Sequence, residues 1–580
     1  MLLKNETQFD VFDRSIDFAE LSKSSMSSEN RKIDEAQNFC YQVAKEYWIS
    51  VKKRTRVKWR LRRISLAPDA DGELSRRQCE LAKELGNTLV DQSPEEVGYV
   101  ISLLYQRNLP KDYREKFGIY YTPKSVVDRM LDSAEKLGVD FTKAHIVDPS
   151  SGGAAYLAPL CRKMLNLSKR HLISDISSRL VGIEIDPFAA WLSQFLVDCV
   201  LAEYSPTASC PPRIVKNISA FDIPKCYFGK FDYVIGNPPY GVIKDSSAID
   251  EEYSEVISGK ANLYQLFIKL GVDLVKQGGI LHYITPTGYL SGSYFRKLRT
   301  WIEREATPLR FEFFEDRKSI FQGVQQEIVI SVLKKGSYKG KPDCIQLLKK
   351  NNGELKIGFQ TKAANCQNGL WVLPKSKKEN KASRLYLKSK DTIESLGFIV
   401  KTGCLVPYRN QERISFKKKS KSFPIIWSEA VYENSVDLQR AYIHEKQKWY
   451  KHEMNYGVLF DQAILIKRTS SKEQRKRIYS ACISKNFLKK YGGFIAENHV
   501  NVVSKVRDSE IKPSQLSKFI NSEVFEELFK CCSGTVTVSA TEIRQIPMPT
   551  LSGMIMFQEI VGSSNSTELI NLAAEKAYEV

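Results

Sequence analysis

Between about Phe117 and Leu333, short apolar runs rich in β-branched residues alternate with stretches of helical periodicity. Residues 145–148, 180–186, 233–236 and 279–284 predict strands. Residues 187–200 and 263–275 predict helices between them. Strands that read as nearly unbroken apolar runs are buried on both faces, so this alternation implies a largely parallel α/β sheet covered by helices on each side. Ligands of such sheets sit at the carboxyl ends of the strands. The first hundred residues are helical and polar in pattern, and residues 51–63 carry a dense run of cations around Trp59. After Leu333 a Lys/Gly-rich stretch, residues 334–342, has the composition of a hinge, and a second basic polar stretch follows at 375–381. From about 395 to 555 short strand-like and helical pieces mix, with basic clusters at 417–421 and 475–477. The expected organisation is a helical basic region (1–115), an α/β domain (116–338), a linker or insertion (339–394) and a mixed α+β domain (395–580).

Charge changes that picture from a generic enzyme to one with a polyanionic partner. Among 580 residues, 87 Lys+Arg stand against 67 Asp+Glu, a net charge of +20. Nucleic acid is the first candidate for such a partner. The basic run at 51–63 reads equally well as a solvated face or a phosphate-contacting surface. No apolar stretch is long enough to span a bilayer, and the start lacks a secretory pattern, so a cytoplasmic protein with no membrane association is expected. The twelve cysteines contain no CxxC pair and the six histidines are scattered, which argues against a metal centre.

Three strand ends carry the chemistry. The run 231–236 is followed by Asn237-Pro238-Pro239-Tyr240. Two prolines fix φ and remove two donors, leaving carbonyls free to face a ligand. An Asn oxygen beside a Pro carbonyl offers two acceptors to one NH2 group, and Tyr240 offers a face for a planar ring. A conjugated exocyclic amine is a weak nucleophile because its lone pair is delocalised. Two acceptors drawing on its protons favour a pyramidal nitrogen and localise that pair for attack. A second strand ends in Asp148-Pro149-Ser150-Ser151-Gly152-Gly153-Ala154, an acid and then very small residues that let backbone approach a cofactor closely. The third ends in Glu184-Ile185-Asp186, where an acid can accept both hydroxyls of a ribose.

Together these motifs resemble the gamma-class, or Taq-type, adenine-N6 DNA methyltransferases, in that class's order, from about Phe117 to Leu333. The resemblance implies a Rossmann-like class I fold that uses S-adenosylmethionine, followed by a C-terminal target-recognition domain. It assigns Tyr121, Thr122 and Pro123 to the segment closing over the methionine end of the cofactor, and Asp148, Ser150 and Gly152 to the cofactor loop. Glu184 matches the ribose acid and Ile185 the residue beside the adenine. Asp222 matches the acid bonded to the cofactor adenine, with Ile223 next to it. Asn237, Pro238 and Tyr240 match the catalytic tetrapeptide, with Asn237 and Pro239 also lining the cofactor. Phe295 sits where the class places a second aromatic against the target base, with Tyr289 as its rival. The implied partners are double-stranded DNA, from which the adenine is flipped, and a companion restriction endonuclease acting on the same site.

Two departures stand out. Ala154 replaces a Gly common in the cofactor loop, for which minor crowding is expected. The interval from Asp148 to Glu184 is long, which suggests an insertion near residues 167–178. Alternatives within enzymes are methylation of cytosine N4, an RNA base or a protein glutamine, and a fused restriction–methylation enzyme. A DNA-binding scaffold is the non-enzymatic alternative, although it would have no need of Asn237, Tyr240, Glu184 and Asp222. Cys210, followed by two prolines, lacks the Pro-Cys context of a cytosine-C5 nucleophile. The stretches 496–502 and 533–539 resemble elements of target-recognition domains, and His499 reads as a packed or polar-contact residue.

Overall fold

The computed structural model describes residues 29–64, 74–117, 122–167, 173–204, 211–243, 249, 251–316, 326–351, 353–367, 369–443, 446, 448–451, 457–469, 476–533 and 537–580. The chain divides into two compact units. One comprises residues 1–286, 301–340 and 347–358; the other comprises 287–300, 341–346 and 359–580.

The first unit is built on a mixed sheet. Its strands are β1 (Ile146–Asp148), β2 (Leu180–Glu184), β3 (Val215–Asn217), β4 (Phe231–Gly236), β5 (Val275–Pro286), β6 (Ala306–Phe314) and β7 (Ile328–Lys335). Their spatial order is β3-β2-β1-β4-β5-β7-β6. The first five neighbours pair in parallel, and β7 runs antiparallel to both β5 and β6. This is the doubly wound arrangement expected from the alternating pattern. β1, central and wholly buried, has a change of winding direction beside it, because the chain passes from β3 at one edge across to β4. Crevices at such switch points hold ligands.

One helix shows why the α/β unit needs its N-terminal partner. Pro187–Tyr204 is buried without interruption from Phe188 to Ala202. A helix on a sheet normally keeps a polar outer stripe, and one that is apolar all round must be covered on every side. Its outer face is covered by the helices Glu29–Thr55 and Pro94–Asn108. Trp191 stacks on Phe195 at 5.4 Å, and Trp48 meets Phe195 edge-on. The helices Arg76–Thr88 and Pro94–Asn108 each start with a capping box, Ser75 with Gln78 and Ser93 with Glu96, which satisfies their first free amides.

The basic run at 51–63 is partly structural. The helix ends at Thr55, and Val57 and Trp59 then turn inward while Lys58 and Arg60 face solvent. Arg62 reaches inward to Asp198 at 2.7 Å and to the carbonyls of Pro211 and Pro212. Burial pushes the Asp198 carboxyl up to about 6, and Arg62 works against that shift. Arg54 bonds the Val90 carbonyl and Glu203. The long interval after β1 contains a second short helix, Ile173–Arg179, in the place where an insertion was expected.

The second unit centres on an antiparallel sheet whose strands lie in the order Phe398–Thr402, Val500–Lys505, Ala463–Lys467 and Ser480–Cys482. Its period-two alternation feeds two cores. Ile464 and Ile466 pack with Phe519, Phe525 and Phe557 of the C-terminal helices, while Ala463 and Leu465 pack with Ile425, Ile426 and Phe494.

Candidate functional site

The loop of small residues, 149–154, begins where β1 ends. Asp148 is fully buried, and its Oδ1 accepts the Ser150 amide at 3.0 Å. Its Oδ2 and the Ser150 Oγ are buried with no hydrogen-bond partner in the structure. A buried acceptor left open in this way is costly unless a ligand supplies the donor. Gly236, at the end of β4, makes room for both groups: a Cβ there would lie 2.9 Å from Asp148 Oδ1 and 3.1 Å from Ser150 Oγ. Burial first, and then the nearby Glu184, pushes the Asp148 carboxyl up to about 8.

The turn after Asp148 is left-handed at two positions, Gly152 (φ 50°) and Ala154 (φ 61°). The sequence predicted only crowding at Ala154. The cost there is instead conformational, because an L-residue in this region is disfavoured by about 1 kcal/mol. The Gly152 amide turns toward β2 and donates to Glu184 Oε2 at 2.8 Å. The other oxygen, Oε1, accepts the Asp186 amide at 2.9 Å. Two main-chain donors therefore set the plane of the Glu184 carboxylate, although burial still pushes it up to about 7. Beside it Ile185 is 49% exposed, an apolar side chain left open at the strand end. The Asn217 side chain fixes that end by bonding the carbonyls of Glu184 and Ile185. Asp222 closes a short turn after β3 and is exposed, while Ile223 behind it is buried.

The tetrapeptide lies two strands from β2, at the same carboxyl edge. Asn237 and Tyr240 are half-buried and Pro238 is buried. Asn237 Nδ2 donates to Thr122 Oγ1 at 3.2 Å, and Tyr240 Oη donates to Asn237 Oδ1 at 2.6 Å. The Tyr240 ring meets buried Tyr264 edge-on at 6.4 Å. The Leu263 amide bonds the Gly241 carbonyl and the Ile243 amide bonds the Ala261 carbonyl, joining residues 241–243 to 261–263. Thr122 and Pro123 lead directly into the helix Lys124–Lys136, whose Arg129 forms a two-pronged bond to buried Glu312.

The structure thus joins Thr122 to Asn237 and Tyr240, and joins Gly152 to Glu184. Tyr121 and Cys210 lie outside the described residues. Phe295 belongs to the second unit, where it is nearly buried. Tyr289, its rival, is wholly buried and packs edge-on against Trp371. His499 is a polar-contact residue, its Nδ1 2.8 Å from buried Glu497.

Residues 178–321 match the family model described as Eco57I restriction-modification methylase. The chain is similar over most of its length to the type II methyltransferase M.BsuBI of Bacillus subtilis, with 23% identity over 482 residues, 75% of this chain and 88% of that protein. M.PstI of Providencia stuartii is alike to the same degree, 23% over 480 residues, covering 76% and 89%. Among solved structures, the type IIL restriction-modification enzyme MmeI in complex with DNA superposes with a TM-score of 0.53 at 12% identity, over 99% of this chain and 91% of that one. That likeness bears on the fold alone. The fold is the Rossmann-like methyltransferase type, and no described helix is long and apolar enough to cross a membrane.

Sequence reasoning missed two participants. Gly236 gave no signal beyond ending a strand. Asp186 was legible, because an acid followed by Pro187 and an apolar helix is a capping signature, and its Oδ1 does accept the Ala189 amide at 2.7 Å.

Proposed function

We propose that this protein is a site-specific DNA methyltransferase that transfers a methyl group from S-adenosylmethionine to the N6 amine of an adenine flipped out of duplex DNA. The observation that carries this reading is the pairing of a polar cradle with Asn237-Pro238-Pro239-Tyr240 on the ends of neighbouring parallel strands of one sheet. The open buried atoms of Asp148 and Ser150 and the cleared space at Gly236 suit a cofactor bearing an ammonium and a carboxylate. Glu184 would accept the ribose hydroxyls, Ile185 would cover the adenine and Asp222 would bond its edge. When bound, the cofactor supplies an electrophilic methyl group.

The protein's share is orientation. Asn237 Oδ1 and the Pro238 carbonyl would accept the two protons of the amine and hold its lone pair in line with the methyl group. Tyr240 would lie against the base in place of the lost stacking. In the structure the Tyr240 hydroxyl already occupies Asn237 Oδ1, so it marks the position that an amine proton would take. Rate gain then comes from positioning and from acceptors fixed before the base arrives. The +20 charge would supply affinity for the duplex, and with it salt dependence. The reading also implies protection of host DNA against a companion restriction endonuclease.

Incubating the purified chain with labelled S-adenosylmethionine and unmethylated DNA, then mapping the modified base by sequencing, tests this proposal. Label in adenine N6 at one short recurring sequence is expected. Label at cytosine N4 would overturn the base assignment, and label in protein or RNA but not DNA would overturn the function.

A further inference from the structure

The cofactor acid is tied to the N-terminal helices through a residue that the proposed chemistry does not use. Asp186, two residues beyond Glu184, is wholly buried. Its Oδ2 accepts the Tyr113 hydroxyl at 2.5 Å, and the Tyr105 hydroxyl lies 3.3 and 3.4 Å from its two oxygens. Tyr105 comes from the helix Pro94–Asn108 and Tyr113 from Lys111–Phe117. Gln37, on the helix Glu29–Thr55, donates in turn to the Tyr105 hydroxyl at 3.3 Å.

A helix cap needs only one carboxylate oxygen, and Ala189 takes Oδ1 for that purpose. The Tyr113 hydroxyl bonds the other oxygen, so it holds Asp186 in addition to the bond that Ala189 makes. Its effect falls on the Asp186 main chain, whose amide donates to Glu184 Oε1. Pulling Asp186 toward the N-terminal helices fixes where that amide points, and so fixes the rotamer of Glu184.

We infer that Tyr113 and Asp186 are positioning residues for the cofactor acid, so that the N-terminal helices set the affinity for S-adenosylmethionine. This inference rests on the proposed role of Glu184. A carboxylate held in its competent rotamer only a fraction of the time loses apparent affinity in proportion to that fraction. The effect should therefore appear in cofactor binding and leave turnover at saturating cofactor largely intact.

The test uses the full chain and compares Tyr113→Phe, which keeps the ring, with Tyr105→Phe, whose hydroxyl contacts are longer. Cofactor Kd by calorimetry, cofactor KM, kcat and melting temperature are measured for each. A rise of about fivefold in Kd and KM for Tyr113→Phe is expected, with a smaller rise for Tyr105→Phe and kcat within about twofold. An unchanged Kd for Tyr113→Phe would overturn the inference. So would a fall in kcat that tracks a lowered melting temperature, since that marks a purely structural role. A wild-type chain that binds no S-adenosylmethionine would instead overturn the reading of Glu184 on which the inference stands.

Discussion

The two halves of the site are held by different kinds of bond. In the cofactor half, main-chain amides of Ser150, Gly152 and Asp186 fix Asp148 and Glu184. In the target half, Asn237 is held by two side-chain hydroxyls, those of Thr122 and Tyr240. Main-chain donors cannot rotate away without distorting a turn, whereas hydroxyls exchange partners by a rotamer change. A cofactor that is the same in every cycle suits the first arrangement. A base that must leave a duplex and displace an existing bond suits the second.

The sharpest test of this contrast is Asn237→Ala. Methyl transfer should fall by about a thousandfold, in the range of losing one preorganised polar group, while cofactor Kd stays within about threefold. Loss of cofactor binding as well would show that the halves are not separable. The reciprocal change, Glu184→Ala, should raise cofactor Kd by about a hundredfold, the lower weight of two charge-assisted hydrogen bonds, as read by calorimetry.

Protonation should distinguish the halves too. In the folded chain Asp148 and Glu184 hold protons up to about 8 and about 7 because they are buried, whereas unfolded carboxyls release theirs near 4. Between those values the folded state binds more protons, so ligand-free stability should decline as pH rises from about 4 to 8. Cofactor affinity should rise over the upper part of that window, as the Glu184 carboxylate forms. Denaturant midpoints and binding isotherms at several pH values would expose equal signs, and equal signs would break the account.

At Tyr240 the ring and the hydroxyl separate. Tyr240→Ala should cost about a hundredfold in kcat/KM for DNA, and Tyr240→Phe only a few-fold, because the hydroxyl must be displaced in any case. Equal losses would move the role from the ring to the hydroxyl. The smallest effect is expected at Ala154→Gly, which relieves a left-handed alanine and should stabilise the chain by about 1 kcal/mol in chemical denaturation.

Much of the sheet was readable because strands buried on both faces leave unbroken apolar runs. β1, β2, β4 and β5 fall on the segments expected, and the helices at 187 and 263 begin where a Pro and an Asn mark them. The tetrapeptide and the Glu184 turn were readable because function there demands particular residue types. Long-range side-chain pairings were not. Nothing local tells Arg62 that its partner is Asp198, or Tyr113 that its partner is Asp186, since each pair is made only when distant segments meet. The cation run at 51–63 shows the same limit: sequence cannot separate Arg62, which bonds inward, from Arg60, which faces solvent.

The helix Pro187–Tyr204 also sets a boundary on how the molecule can be trimmed. A shortened version beginning at the α/β domain would keep every group proposed for the chemistry. It would also bare one whole side of an apolar helix, including Trp191 and Phe195, on a scale that drives self-association rather than solubility. The N-terminal helices are therefore as much a part of the smallest stable version of this protein as the sheet they cover.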